Sequence, residues 1–473
     1  MKRVIYILLP LLFFAVNVVA QNRNVARKLF QEGNYAEAKP MFESLLKKNP
    51  KNAEYSYWYA VCCYETADSA DVMPLLEYAA TRKISNAYRY MGDIHARLQD
   101  YPSAISGYET FIDMTNNDSL RQLYQKRLSD AKRINRMIMN CEKVCIIDST
   151  VVDKEALLSV YGIGSEAGSL HTQADFFDDS SLSGCLYCSE RGMDIYFSDI
   201  EADSLTKLYS NTKVGDEWGR AAKVEGFDTK GNDDYPFMLS DGVTLYFASD
   251  GEGSIGGYDL FVTRLNTESG LFLRPDNIGM PFNSTANDYM LAINEVANLG
   301  WFASDRNQPD GKVCVYLFVP DSKKERYDES LGYDTLLSYA NIGSIADTQH
   351  DEELVRKARQ QYALLQYSNS NNAGKRDFCF VIDDSRDCCR LSDFTSGKAR
   401  KMFEEWSRRS KEQKSNIALL ERKRDEYASA NSRTKKAMSE AILELERKVE
   451  EEEAALKAME RDIRRAEQEE LYK

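Results

Sequence analysis

One stretch, Asp233–Leu265, constrains the fold more than any other. Its three apolar runs, Tyr235–Leu239, Val243–Ala248 and Tyr258–Leu265, are separated by Asp241-Gly242 and by the glycine-rich turn Asp250–Gly257. An Asp-Gly pair between apolar runs is the strongest short-range hairpin signal. β-Branched and aromatic residues fill the third run, as a strand between turns requires. Three antiparallel strands cannot bury their faces alone, so the unit must recur. Tyr246-Phe247-Ala248-Ser249-Asp250 returns 55 residues later as Trp301-Phe302-Ala303-Ser304-Asp305, followed by Val313–Val319. It also stands upstream as Asp194-Ile195-Tyr196-Phe197-Ser198-Asp199. Linking strands are expected at Trp218–Val224 and Leu271–Ile278. Four strands per unit at this period predict a β-propeller. A weakly marked blade over Leu157–Phe177, three clear ones and a closing one after Pro320 give about five blades.

Ahead of the strands, Gly33-Asn34-Tyr35-Ala36-Glu37-Ala38, then Phe42, Leu45 and Pro50, follows the tetratricopeptide pattern. Gln99-Asp100-Tyr101-Pro102-Ser103-Ala104, then Tyr108 and Phe111, follows it again 66 residues later. That is nearly two repeat periods, so Ala53–Lys83 holds a degenerate repeat between them. Ala60 and Gly92 take the small position where paired helices approach closely. Asp118–Cys141 reads as a capping helix.

Ser-Asp-Gly-x-Thr-Leu-Tyr-Phe-Ala-Ser-Asp-Gly followed by Gly-Gly-Tyr-Asp-Leu-Phe, over residues 240–261, resembles the blade motif of the TolB-like (WD40-like, PD40) propellers. In Bacteroidetes such blades often follow tetratricopeptide repeats in one envelope protein. The chain is similar over residues 22–320 to the peptidoglycan-associated subunit of the type IX secretion machinery, without the OmpA-like ending of that family. The motifs are specific for fold and weak for function.

At 473 residues with 43% hydrophobic content, the chain is long enough for several cores. The fold expected is multidomain α + β. Residues 1–20 form a signal peptide, 22–141 the repeats with their cap, 142–395 a propeller with an insertion at about 321–375, and 396–473 a coiled coil or helical hairpin. Lys2 and Arg3, the apolar run Val4–Val16, and small Val18 and Ala20 before Gln21 carry the signal-peptide reading. Net charge −14 argues against nucleic acid or anionic membrane as a main partner. The stretch from Lys398 holds 20 basic and 18 acidic residues, so the acidic excess lies upstream. Ile442, Leu445, Val449, Leu456, Met459, Ile463 and Ala466 keep 3–4 spacing, with Glu452 as a break in the seam. Ile417 and Leu420 begin an earlier seam, and Ser429–Thr434 interrupts it, which suits one bent helix or a hairpin.

Chemistry-bearing patterns are few. Gly251-x-Gly253-x-x-Gly256 matches the dinucleotide fingerprint in letters but joins two strands rather than a strand to a helix. Asp250, Glu252 and Asp259 share that loop, where turn capping competes with calcium ligation. Cys185-x-x-Cys188 lacks the helix start that lowers a thiol pKa. Cys62 and Cys63 read as core, and Cys379 opposite Cys388 or Cys389 as the first disulfide to test. His95, His171 and His350 have no nearby catalytic motif.

The repeats, the propeller and the coiled coil each present surface. The function expected is a non-enzymatic periplasmic scaffold or assembly protein, peripheral at the outer membrane, with no cofactor, no metal and no span in the mature chain. Its expected partners are envelope proteins, secretion machinery among them, and peptidoglycan. A glycan- or peptidoglycan-binding protein is the alternative, then a propeller hydrolase. On the family's helix register the concave face takes Arg23, Arg27, Tyr57, Tyr64, Arg89 and Asp93 as partner-binding residues.

Overall fold

The computed structural model describes residues 23–68, 71–214, 217–321, 323–372, 380–383, 386–388, 391–429 and 432–471. The signal-peptide segment, Cys379 and Cys389 lie outside them. The chain divides into two compact units, up to Leu365 and from Gln366.

The first unit opens with seven helices: α1 (23–31), α2 (Tyr35–Lys48), α3 (Ala53–Glu65), α4 (Met73–Thr81), α5 (Ser85–Arg97), α6 (Tyr101–Met114) and α7 (Asp118–Met139). Asn52, Asp100 and Asn117 cap α3, α6 and α7 by accepting from Tyr55, Ser103 and Leu120 N–H groups. Phe42, Trp58, Val61 and Leu76 fill the core between the first pairs. A Cβ on Gly92 would lie 2.6 Å from the Tyr108 ring, so only glycine lets α5 and α6 pack this closely.

Strand β1 (Cys145–Asp153) and two 3-10 turns, Lys154–Val160 and Ser165–Ala167, follow. Three sheets come next. The first holds β2 (Ser169–Thr172), β3 (Cys185–Cys188), β4 (Asp194–Ile200), β5 (Thr206–Val214), β6 (Glu217–Trp218) and β7 (Ala222–Lys223), with the short helix α8 (Gln173–Phe177) after β2. The second holds β8 (Asp233–Met238), β9 (Thr244–Ser249), β10 (Asp259–Asn266), β11 (Leu271–Phe272) and β12 (Asp276–Asn277). The third is β13 (Asp288–Asn294), β14 (Leu299–Ser304) and β15 (Lys312–Val319), completed by β1, which pairs antiparallel with β15. The strand preceding all three sheets thus closes the last one.

Period-2 alternation places the second sheet between its neighbours. Leu245, Phe247 and Phe261 share a core with Tyr187, Leu208 and Val224 of and beside the first sheet. Ala248 and Leu260, on the other face, meet Leu291, Phe302 and Phe318 of the third. The third sheet's remaining face, with Trp301 and Leu317, carries Val355, Ala358, Tyr362 and Leu365 from α10 (Glu352–Asn372), whose preceding helix is α9 (Tyr333–Ala340).

One device recurs in the second and third sheets. Asn232 N–H and Nδ2 donate to the two Asp250 carboxylate oxygens at 2.6 and 2.8 Å, and Asn287 does the same to Asp305 at 2.7 and 2.8 Å. The neighbouring aspartates are buried in ion pairs, Asp233 with Lys207 at 3.1 Å and Asp288 with Arg306 at 2.7 Å. The glycines of the Gly-x-Gly-x-x-Gly run serve this packing. A Cβ on Gly251 would lie 2.2 Å from Thr229 O, and one on Gly256 2.1 Å from Ala286 O.

Two expectations about the sheets need correction. The described residues form three sheets of four or more strands, where about five blades are expected from sequence. Leu157–Phe177 is not a blade. Its 3-10 turns put Leu157, Tyr161, Ile163 and Ala167 into the shared core, and only β2 joins a sheet. The strand expected over 377–382 to close the last blade is paired otherwise among the described residues. β16 (Phe380–Asp383) and β17 (Arg386–Cys388) pair with each other, and Phe380 packs on Phe394, Phe403 and Trp406 within the second unit.

The rest of that unit is an antiparallel hairpin of α11 (Gly397–Ser429) and α12 (Ser432–Leu471). Leu420, Ile442 and Val449 form one apolar layer, and Phe403, Ile463 and Ala466 another. Between them Glu452 is no break: it accepts from Arg409 at 2.6 and 2.8 Å. Ile417 points outward, at 39% exposure.

Candidate functional site

The first helices of successive pairs stand side by side and form one face. Phe30 of α1 meets Tyr57 of α3, Tyr57 meets Tyr90 of α5 at 6.2 Å between ring centroids, and Arg89 of α5 stacks on Tyr124 of α7 at 5.7 Å. The tyrosines at 57, 90 and 124 fall 33 and 34 residues apart. That spacing puts one phenol per repeat on the same face.

The structure divides the six residues read from sequence. Arg23 and Arg27 lie over the Trp58 ring at 6.0 and 5.9 Å, and Arg23 also pairs with Glu54 at 2.9 Å. Tyr57, Tyr64, Arg89 and Asp93 come together further along the face. Tyr57 is buried, with burial pushing its phenol up to about 12 against the opposing Arg89 charge. It is a core residue, and the expectation that it stands free for a partner is corrected. Asp93 is also consumed internally. It is 8% exposed and accepts from Tyr108 Oη at 2.9 Å, Tyr124 Oη at 2.7 Å and Arg127 Nη1 at 2.5 Å. The helix register identifies the face but says nothing of depth.

Tyr64 is half-buried, with Tyr90 edge-on at 5.4 Å and the Arg97 guanidinium over its ring at 4.5 Å. Arg89 is half-buried over Tyr90 at 4.4 Å. Its Nη2 donates to Tyr90 Oη at 3.1 Å and its Nη1 to Tyr124 Oη at 3.4 Å, while Nε is buried with no acceptor. Tyr90 Oη in turn donates to Glu65 Oε1 at 3.1 Å. Tyr90, Arg97, Tyr124 and Arg127 were missed in the sequence. The equal tyrosine spacing was the signal that would have found two of them.

A tetratricopeptide-repeat family model matches residues 29–80. The helical part of this protein contains tetratricopeptide repeats. No curated protein matches the chain. Among solved structures, the Yersinia enterocolitica type III secretion translocator chaperone SycD is 15% identical, with 25% of this chain and 85% of that one covered and a TM-score of 0.23. PcrH in complex with the chaperone binding region of PopD is 16% identical over 24% and 92%, at 0.23. The first repeat domain of Spaghetti (RPAP3) bound to the HSP90 peptide SRMEEVD is 19% identical over 24% and 90%, at 0.22.

The other candidates point away from chemistry. Gly251–Gly256 leads into β10, with no helix behind it. Asp250 is held by Asn232, Glu252 lies 3.6 Å from Lys230, and Asp259 accepts from Asn277 Nδ2 at 2.6 Å, so the loop's carboxylates do not converge. Cys185 and Cys188 are buried on opposite faces of β3, and burial holds Cys185 well above the ordinary thiol range. Cys62 and Cys63 are buried in the repeat core, and burial pushes Cys62 up to about 12. Cys388 is buried against Phe380 and Phe403.

Proposed function

We propose that this protein is a non-enzymatic scaffold of the cell envelope that holds segments of protein partners on the concave face of its tetratricopeptide repeats. The observation that carries this reading is the accessible row of Tyr64, Arg89, Arg97 and Arg127 on α3, α5 and α7, laid over the buried rings of Tyr90 and Tyr124. Such residues supply most binding energy at interfaces. The repeats are anchored on the sheets, which suits a presenting surface. Leu336 and Ala340 of α9 share a core with Ile134 and Ile138 of α7, and Tyr333 Oη donates to Gln99 O at 2.5 Å. Where the sheets meet, Leu157, Tyr161, Ile163 and Met290 fill the space with apolar side chains, which favours a scaffold over a hydrolase. The paired asparagine–aspartate clamps support reading the three sheets as propeller-type blades. The charged, apolar and small-residue succession of residues 1–20 supports export to the periplasm. No helix among the described residues is long and apolar enough to cross a membrane.

A photoreactive amino acid at the exposed Arg97 position tests the reading in intact cells, with Glu77 on α4 as control. Protein adducts are expected from position 97 and not from position 77. Equal adducts from both, or none from position 97, refute it. Mass spectrometry of the same preparation is expected to find a mature N-terminus at Gln21.

A further inference from the structure

The outermost strands of the first two sheets are two-residue pieces, β6 and β7, then β11 and β12. In the third sheet that place is held by β1, nine residues long. Among the described residues no strand pairs with its outer edge. Natural sheets guard an edge by keeping it short or charged. β1 instead runs Ser149-Thr150-Val151-Val152 across its middle, and Val151 is 53% exposed. Lys154 N–H turns inward to Gly311 O, and Ser149 N–H turns to the Asp148 carboxylate rather than to β15. Alternation therefore aims the main-chain groups of Ser149, Val151 and Asp153 outward.

A groove lies beside this edge. Val355 and Ala363 of α10, with Ala346 ahead of it, line a cavity of about 560 Å³ together with Arg356, Arg359 and Glu352. Both guanidinium groups are exposed and loosely held. Arg356 lies 4.0 Å from Glu353, and Arg359 donates to Ile147 O at 3.3 and 3.4 Å. Upstream the edge is already occupied, because Ile146 N–H donates to Thr348 Oγ1 at 3.1 Å and Ile146 O accepts from Gln349 Nε2 at 2.8 Å.

We infer that the edge of β1 from Asp148 to Asp153 receives an extended segment of a partner protein, which adds a strand to the third sheet and sets acidic side chains on Arg356 and Arg359. Main-chain pairing supplies the affinity, and alternate side chains of the added strand fall on the α10 face, where the groove selects them. A second copy of this chain is the poorer occupant. Antiparallel pairing of β1 with β1 keeps the sheet face, so like guanidinium groups would meet across it. This surface is separate from the repeat face and does not depend on it.

The test uses the full chain and fluorescein-labelled peptides built on threonine and valine, with alternate positions carrying glutamate, glutamine or lysine. In fluorescence anisotropy the glutamate peptide is expected to bind at least about tenfold more tightly than the lysine one. Methylating every second amide nitrogen should abolish binding in one register and spare it in the other, since only one set of amides faces β1. Val151→Pro removes an outward N–H and should weaken binding at least about tenfold, while Val151→Thr should not. Arg356→Gln combined with Arg359→Gln should bring the glutamate peptide down to the glutamine level. Equal binding of the two methylated peptides, or no loss in Val151→Pro, overturns the strand pairing. Equal binding of glutamate, glutamine and lysine peptides overturns the acidic occupant. Absence of binding overturns both, and a dimer in sedimentation that Val151→Pro dissociates puts a second copy on the edge instead.

Discussion

Asp93 shows how a single carboxylate organises the repeats. Two phenols and a guanidinium from α6 and α7 converge on it from three sides. Asp93→Ala leaves buried hydroxyls without their acceptor, and a loss of about 3 kcal/mol is expected in urea denaturation. Asp93→Asn keeps one oxygen acceptor and should lose less. Asp259 makes a pH-dependent contribution. Burial, opposed first by the Asn277 amide, pushes its carboxyl up to about 7. The folded chain therefore keeps a proton that the unfolded chain releases near pH ~4. Stability from this group is complete below that value and is lost as pH rises through about 7. Asp259→Asn removes the dependence. The stability of wild type relative to the variant should decline as pH rises from about 5 to about 8. A constant difference across that range would show that the carboxyl titrates normally.

At the scale of elements, the second unit is closed by a contact between its ends. Glu467 near the end of α12 is fully buried and accepts from Thr395 N–H at 2.7 Å and Ser396 N–H at 2.9 Å, the donors just ahead of α11. Ser396 Oγ in turn accepts from Ala399 N–H at 3.2 Å. One helix end thus caps the start of the other. Glu467→Ala should cost about 2 kcal/mol and speed hydrogen exchange in the first turn of α11 while leaving α3 and α5 unchanged. Such pairings of distant elements are what the sequence hides. The Asp241-Gly242 hairpin was legible because turn chemistry and alternation are local, and Gly242 has the positive φ of 67° that the turn requires. The strand at 380–383 was also legible as a strand, but alternation does not say which core receives Phe380 and Ile382. Leu157, Tyr161 and Ile163 looked like a weak blade because they are apolar and closely spaced, yet a 3-10 turn delivers such residues to a core equally well. On the candidate site, the repeat period puts Arg89 and Tyr64 on one face, and both contact the Tyr90 ring. It gave no account of Tyr124, which arrives from a helix read only as a cap.

For the molecule as a whole, the two units differ in what stabilises them. In the first, one core joins α6 and α7 to α9, where Tyr327, Leu336 and Met280 pack with Ile134 and Ile138, beside the separate cores of the first repeats and the sheets. The second depends on one seam. Ile442, Val449, Leu456 and Ile463 are each 9% exposed or less, so the stripe, which suits a hairpin or a coiled coil in the sequence, is covered within the chain. Arg409, Glu452 and Gln413, whose Nε2 donates to Val449 O at 2.7 Å, fix the register between the apolar layers. A charge at the centre of that seam should therefore unfold the hairpin without changing association. Val449→Asp buries a carboxylate with no cation in the layer formed by Leu420 and Ile442. Limited proteolysis is expected to cut 397–471 rapidly in this variant and to leave a resistant fragment spanning the repeats and sheets. Sedimentation should give wild type and variant the same subunit number. A wild-type dimer that the substitution dissociates would mean that the stripe serves a second copy, and the hairpin would then be the wrong pairing for these two helices.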